Sequence, residues 1–248
     1  MRIESASNER IKAVRRLHRG RERRRTHQTL VEGPILVAAA LEAGVVPSET
    51  YTAQGGALVD RCEAAGSTIV EVSAPVLELI STTVEPQDPV GVISIPGNRT
   101  IDLRRTVVAV EISDPGNLGT LIRSAGAFGW QIALIGGADP WSPKVMRASA
   151  GVQLSHPATA LESFSQLRAV GLEPVATTVS GGIDPSSLDI SQPIALLIGN
   201  ESHGLPATMV EQCGASLTIP LTGGVESLNA SVAATVAMYA LSRELATE

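Results

Sequence analysis

The feature that most constrains the fold of this 248-residue chain is a repeated alternation of short apolar, β-branched runs with helical patterns, punctuated by Gly and Pro. The alternation is clearest after a break at Pro96-Gly97-Asn98-Arg99 and Asp102-Leu103-Arg104-Arg105. Beyond it, strand patterns fall at Thr106 to Ile112, Gln131 to Ile135, Glu173 to Val179, Ile194 to Ile198 and Leu217 to Ile219. Helical patterns fall at Gly119 to Ala127, Lys144 to Ala150, Ser163 to Ala169, Pro206 to Gln212 and Ser227 to Leu245. Uninterrupted apolar strands are buried on both faces, and strands joined through helices pair in parallel. The expected fold class is therefore α/β, with a parallel sheet in residues 99–248 and a smaller α/β domain in residues 1–98.

The first 98 residues carry strand patterns at Thr29 to Glu32, Thr68 to Val72 and Val90 to Ile95. Helices are expected at Ile35 to Ala43, Ala57 to Ala65 and Pro75 to Ile80, the first two ended by Gly44 and Gly66. Residues 8–25 read as one polar helix with a narrow apolar stripe at Ile11, Val14 and Leu17.

Charge is divided unevenly. The formal net charge is −6, yet ten of the 19 Lys and Arg residues lie in the first 25 positions, so that segment carries +7 and the rest −13. Two readings of the basic helix stay open, a solvated face and a surface for RNA phosphates; the concentration of charge favours the second. Aromatic residues make up 2% of the chain, which excludes a module that binds single strands on a row of aromatic rings. The two cysteines, Cys62 and Cys213, form no C-x-x-C pair, and no secretory pattern or membrane-length apolar run is present. A reduced, cytoplasmic protein is expected.

In an open parallel sheet, ligands gather at the C-terminal ends of strands, and three loops of the second segment fall there. Asp114-Pro115-Gly116-Asn117-Leu118-Gly119 leads into a helix carrying Arg123, which shares a face with position 119. Gly199-Asn200-Glu201-Ser202-His203-Gly204-Leu205-Pro206 follows the apolar strand at Ile194 to Ile198. Ile219-Pro220-Leu221 runs through Glu226-Ser227-Leu228-Asn229-Ala230-Ser231 into a small-residue helix. Each loop also has a plain structural reading, as a capped turn with a surface Arg or as a helix N-cap at Ser227 or Asn229. The second loop has the spacing of a phosphate loop, but Leu205 stands where Lys is required. The chain has no dinucleotide glycine fingerprint, no hydrolase elbow and no histidine pair at metal-ligand spacing, so no metal is expected. His203 alone of the histidines falls near a candidate site, and an ordinary polar loop residue is the other reading of it.

Taken in order, Asn117 to Gly129 (NLGTLIRSAGAFG), Leu196 to Pro206 (LLIGNESHGLP) and Ile219 to Ala233 (IPLTGGVESLNASVA) resemble the three signature motifs of the SpoU/TrmH branch of the SPOUT RNA methyltransferases. Asn8 to Lys12 and Leu30 to Gly33 resemble the start of the ribosomal-protein-like substrate domain that many members carry. Ala230, where a larger apolar residue is common, is a small departure.

The resemblance implies a C-terminal domain with a deep trefoil knot, S-adenosylmethionine as cofactor, a homodimer, and methyl transfer to a ribose 2′-hydroxyl of RNA. It places Gly199, Asn200, Gly204, Ile219 and Leu228 around the cofactor, and Asn117, Arg123, Glu201, Ser227 and Asn229 at the reaction. An arginine keeps its proton in proteins, so Arg123 is read as a phosphate clamp and stabiliser of alkoxide charge rather than a base. Arg147 is expected on RNA backbone, together with Lys12, Arg21, Arg23, Arg24 and Arg25 of the basic helix. The resemblance favours 23S rRNA, including resistance-type ribosome methylation. A tRNA substrate, a non-catalytic assembly factor and a nucleotide-dependent oxidoreductase are the alternatives; the last lacks its glycine fingerprint.

Overall fold

The computed structural model describes residues 2–98, 100–101 and 105–243. The chain divides into two compact units, one of residues 1–97 with 139–155 and one of residues 98–138 with 156–248. The first unit thus takes in a segment that the sequence reading assigns to the C-terminal domain. Of the proposed linker, Arg99 and residues 102–104 lie outside the described residues.

In the first unit the elements are α1 (Glu9–Arg16), α2 (Gly20–Thr26), β1 (Gln28–Glu32), α3 (Gly33–Glu42), β2 (Glu49–Thr52), α4 (Ala57–Ala64), β3 (Thr68–Glu71), α5 (Ala74–Ile80) and β4 (Val90–Ser94). Its four strands lie in the order β1-β4-β2-β3; β4 is antiparallel to both neighbours, and β2 and β3 are parallel. One core cluster gathers Ile11, Val14 and Leu17 with Leu30, Tyr51 and Val92, which accounts for the apolar stripe of the basic segment. A second cluster joins Val31, Leu36, Val37 and Ile93 to Trp141, Met146 and Leu154 of the returning segment.

The basic segment is two helices rather than the one expected. Arg23 explains the break: its Nη1 donates to the carbonyls of Leu17 (2.8 Å) and His18 (3.0 Å), groups that a helix end leaves without partners. The same guanidinium grips Asp139 Oδ2, through Nη2 at 2.6 Å and Nε at 3.0 Å. β2, polar at Glu49, Thr50 and Thr52, is a strand that the hydropathy pattern misses.

The second unit runs through β5 (Arg105–Val110), α6 (Pro115–Ala127) and β6 (Gln131–Ile135); α7 (Pro143–Ala148) and α8 (Val152–Ser155) belong to the first unit. It resumes with β7 (Thr159–Leu161), α9 (Ser165–Ala169), β8 (Glu173–Thr177), β9 (Ile194–Ile198), α10 (Ala207–Val210), β10 (Ala215–Leu217) and α11 (Ala230–Arg243). The six strands form one parallel sheet in the order β10-β8-β9-β5-β6-β7. β9 is buried at every position, as its unbroken apolar run requires. Helices α6 and α11 are tied by a 2.7 Å contact between the hydroxyls of Ser124 and Thr235. Helix α11 begins at Ala230, three residues later than expected, and the last two positions of the expected helix lie outside the described residues. β10 ends at Leu217, so Ile219 leaves the sheet. Among the described residues, no helix is long and apolar enough to cross a membrane.

Candidate active site

The three loops meet at the C-terminal ends of β5 and β9. Asp114 caps α6, its carboxylate accepting from Asn117 N at 2.9 Å, so Asn117 sits in the first helical turn rather than at the cap. From there Asn117 Nδ2 donates to Glu201 Oε1 at 2.9 Å, while Asn117 Oδ1 accepts from Asn229 Nδ2 at 3.0 Å. Partners of opposite kind on its two ends fix which way this amide points. Asn229 Oδ1 in turn accepts from Ser231 N (3.0 Å) and Val232 N (3.3 Å), capping α11. Asn229 is thus a helix cap whose other end reaches Asn117.

Glu201 also receives Ser113 N and Oγ on Oε2 and Asp114 N on Oε1, each at 3.3 Å. Burial alone would raise this carboxyl, but the donors from Asn117 and the backbone outweigh it and hold the group below the usual glutamate value. Glu201 is consequently a fixed carboxylate at neutral pH, an acceptor rather than a proton donor. Ser113, Asp114 and Ser231 join the network although they were not singled out as site residues. The N-x-S spacing from Asn229 to Ser231, an Asx-type cap, was the available signal for the last of them.

Beside this network lies a cleft of about 400 Å³. Gly199, Asn200, Gly204, Ile219 and Leu228 all line it, as do Glu201, Ser227 and His203. The loop after β9 is held by hydrogen bonds of its own. Asn200 Nδ2 donates to the Glu111 carbonyl at 2.8 Å, its Oδ1 accepts from Ser202 N at 2.9 Å, and its backbone exchanges hydrogen bonds with Gly204. Gly204 adopts φ +67°, the left-handed region that favours glycine. A Cβ on Gly199 would stand 2.3 Å from Gly204 C and 2.4 Å from Leu205 N, so only glycine closes the loop this tightly.

The lining fits a cofactor with an apolar ring and a cationic centre. Ile198, Ile219, Leu228 and Ala233 supply apolar wall, Glu201 and Glu226 are the charged members, and no Lys or Arg is among the described lining residues. The volume falls within the range of small-molecule clefts.

Arg123 is not part of the hydrogen-bonded cluster. It is exposed on α6, and its side chain makes no hydrogen bond or ion pair among the described residues. Ser227 lines the cleft without joining the network.

Of the residues expected on RNA, all lie in the first unit. Arg23 does not fit that role: it is 4% exposed, and its guanidinium is engaged by Asp139 and two carbonyls. Arg147 Nη1 donates to Thr82 Oγ1 at 2.6 Å and stands 3.8 Å from Glu32, with a third of the side chain exposed. Lys12 pairs with Glu9 and Arg25 with Glu22 at the surface. Arg21 and Arg24 are exposed and free of ion pairs among the described residues, as are Arg15, Arg16 and Arg19 of the same basic segment.

Residues 104–239 match the SpoU rRNA methylase family, and residues 8–91 match an MRM3-like substrate binding domain. The chain belongs to the SpoU rRNA methylase family. This SpoU family chain is 31% identical to the 23S rRNA (guanosine(2553)-2′-O)-methyltransferase RlmP of Bacillus subtilis, over 96% of this chain and 98% of that one. Its fold is similar to an AdoMet-bound rRNA methyltransferase from Sinorhizobium meliloti, with TM-score 0.85 and 33% identity over 99% and 98% of the two chains. It is also similar to the SpoU methyltransferase AviRb from Streptomyces viridochromogenes in complex with AdoMet, with TM-score 0.86 and 27% identity over 97% and 99%.

Proposed function

We propose that this SpoU family chain is an S-adenosylmethionine-dependent methyltransferase acting on a ribose 2′-hydroxyl of 23S rRNA. The observation that carries the reading is the Glu201–Asn117–Asn229 network at the edge of a cleft with carboxylates and no described cation. When bound, S-adenosylmethionine supplies an electrophilic methyl group on a sulfonium sulfur. The cleft's own residues contribute in three ways. Gly199, Ile219 and Leu228 offer backbone and apolar surface to the cofactor, and Glu201 and Glu226 complement its positive charge. The locked amide of Asn117, with Asn229 and Ser227 beside it, orients the nucleotide, so that much of the acceleration comes from positioning. Arg123, exposed and free, would clamp the adjacent phosphate and stabilise negative charge developing on the ribose oxygen.

The RNA is gripped in the first unit by Arg15, Arg16, Arg19, Arg21 and Arg24, with Lys12, Arg25 and Arg147 contributing; phosphate contacts of this kind dominate RNA affinity. Exposed Val232, Val236 and Tyr239 recur at helical spacing on α11, and a second copy of the chain covering that stripe makes the protein a homodimer. The knot implied by the three motifs and a cytoplasmic location belong to the same reading. Similarity along the whole chain to the B. subtilis 23S rRNA enzyme favours rRNA over tRNA. Mapping ribose methylation on total RNA from cells with and without the gene tests the proposal: one 23S rRNA site disappears with the gene, whereas an unchanged map, or loss of a tRNA site, contradicts it.

A further inference from the structure

A second cavity, of about 420 Å³, lies within the first unit and takes no part in the chemistry above. Strand register builds its floor. Val92 of β4 is the cross-strand partner of Glu49 on β2, and Glu49 is the partner of Thr68 on β3. Gln28, two residues before Leu30 and its partner Val92, points to the same face. The walls are α1 with its cap, through Val14, Arg16 and Leu17, and α2, through Glu22 and Arg25.

The polar groups here divide into two sets. The acids are already satisfied: Glu49 accepts from Arg10 at 3.0 Å and from the Tyr51 hydroxyl at 2.5 Å, and Glu22 accepts from Arg25. Arg16, Gln28 and Thr68 line the same space, and their side chains make no hydrogen bond among the described residues. A cavity with an apolar patch of Val14, Leu17 and Val92, one guanidinium that acts on Glu9 and Glu22 only at longer range, one amide offering both donor and acceptor, and one hydroxyl matches the groups of a single nucleotide. An arginine plane also substitutes for aromatic rings, which are scarce in this chain.

We propose that this cavity receives one unstacked nucleotide of the substrate RNA, its base over Val14, Leu17 and Val92, its edge read by Gln28 and Thr68, and its phosphate held by Arg16. The inference rests on the RNA reading above and goes beyond it, because it gives the substrate domain a contact that selects structure rather than charge alone.

The test uses the full chain and transcribed 23S rRNA, with affinity measured at several salt concentrations. Thr68→Phe fills the cavity at an exposed strand end; it is expected to weaken binding about tenfold and to lower the slope of log affinity against log salt by no more than about one, the single phosphate contact of Arg16. The variant with Arg15, Arg19, Arg21 and Arg24 changed to Ala is expected to weaken binding and flatten that slope. If the arginine variant behaves so while Thr68→Phe binds like wild type, the cavity proposal fails and the RNA reading stands. If the arginine variant also binds like wild type, both fail. Should Thr68→Phe melt earlier than wild type, Gln28→Ala takes its place, with a loss of about threefold expected and no change overturning the proposal. Tight binding of a free nucleoside monophosphate, abolished by Thr68→Phe, would reassign the cavity to a small metabolite and overturn the RNA contact.

Discussion

Asn117 Nδ2 lies 2.9 Å from Glu201 Oε1, joining the loop after β5 to the loop after β9. Residues 84 positions apart thus share one hydrogen bond at the edge of the cleft. The bond is charge-assisted, because the donors around Glu201 keep its carboxyl ionised. Replacing Asn117 with Ala removes a bond of a class worth about 1.5–3 kcal/mol, and methyl transfer should fall by about ten- to a hundredfold. Asn117→Asp should be worse than Asn117→Ala, since it faces one carboxylate with another. Steady-state methyl transfer on 23S rRNA checks the order; an Asp variant more active than the Ala variant would contradict it.

Arg123 stands outside this network, with its guanidinium free for substrate. Arg123→Ala should lower methyl transfer by about two orders of magnitude, the scale of losing a strong transition-state stabiliser. S-Adenosylmethionine affinity, measured by calorimetry, should change little. Near wild-type transfer would remove Arg123 from the reaction.

Arg23 and Arg24 are sequence neighbours with opposite roles. Arg23→Ala leaves two buried helix-end carbonyls without that donor and Asp139, which keeps Trp141 N, without its cation, and should cost about 1–3 kcal/mol. Arg24→Ala removes only an exposed charge, so it should keep the wild-type melting temperature while weakening RNA binding. Denaturant titrations of the two variants separate the roles.

Glu32 supplies a pH signature in the first unit. Its side chain is 2% exposed, and its carboxylate accepts from Thr82 N and Oγ1 and from Thr83 Oγ1 at 2.6–2.8 Å. Burial would raise this carboxyl, yet these hydrogen bonds prevail and hold it below its ordinary value of 4.5. A depressed folded value means that the stabilisation is fully present above that ordinary value and is lost as pH falls through the folded one. Thermal melts should therefore lose stability below about pH 4.5, and Glu32→Gln should be less stable at pH 7 but flatter across this window. An equal acid slope in both proteins would argue against the assignment.

The sheet of the second unit was legible because its central strands are buried on both faces: Gln131–Ile135 and Ile194–Ile198 stand where their apolar runs end. β7, of three residues, and β2, polar at most positions, were not legible, since neither carries an apolar period of its own. The site residues in the three motifs were legible as motifs. That Asn117 would bond to both Glu201 and Asn229 was not, because the bonds span loops that only the sheet order brings together. Arg23 was misjudged for a related reason: composition shows charge, whereas Asp139, which buries it, lies 116 residues away in sequence. The placement of residues 139–155 in the first unit is likewise a matter of tertiary packing, through Trp141, Met146 and Leu154.

The most direct measurement of the central claim incubates the purified protein with methyl-labelled S-adenosylmethionine and unmodified 23S rRNA, then digests the RNA to nucleosides. The account predicts label in a single 2′-O-methylnucleoside, abolished by Asn117→Asp. Label in a methylated base, or no label in rRNA while tRNA accepts it, would contradict the account.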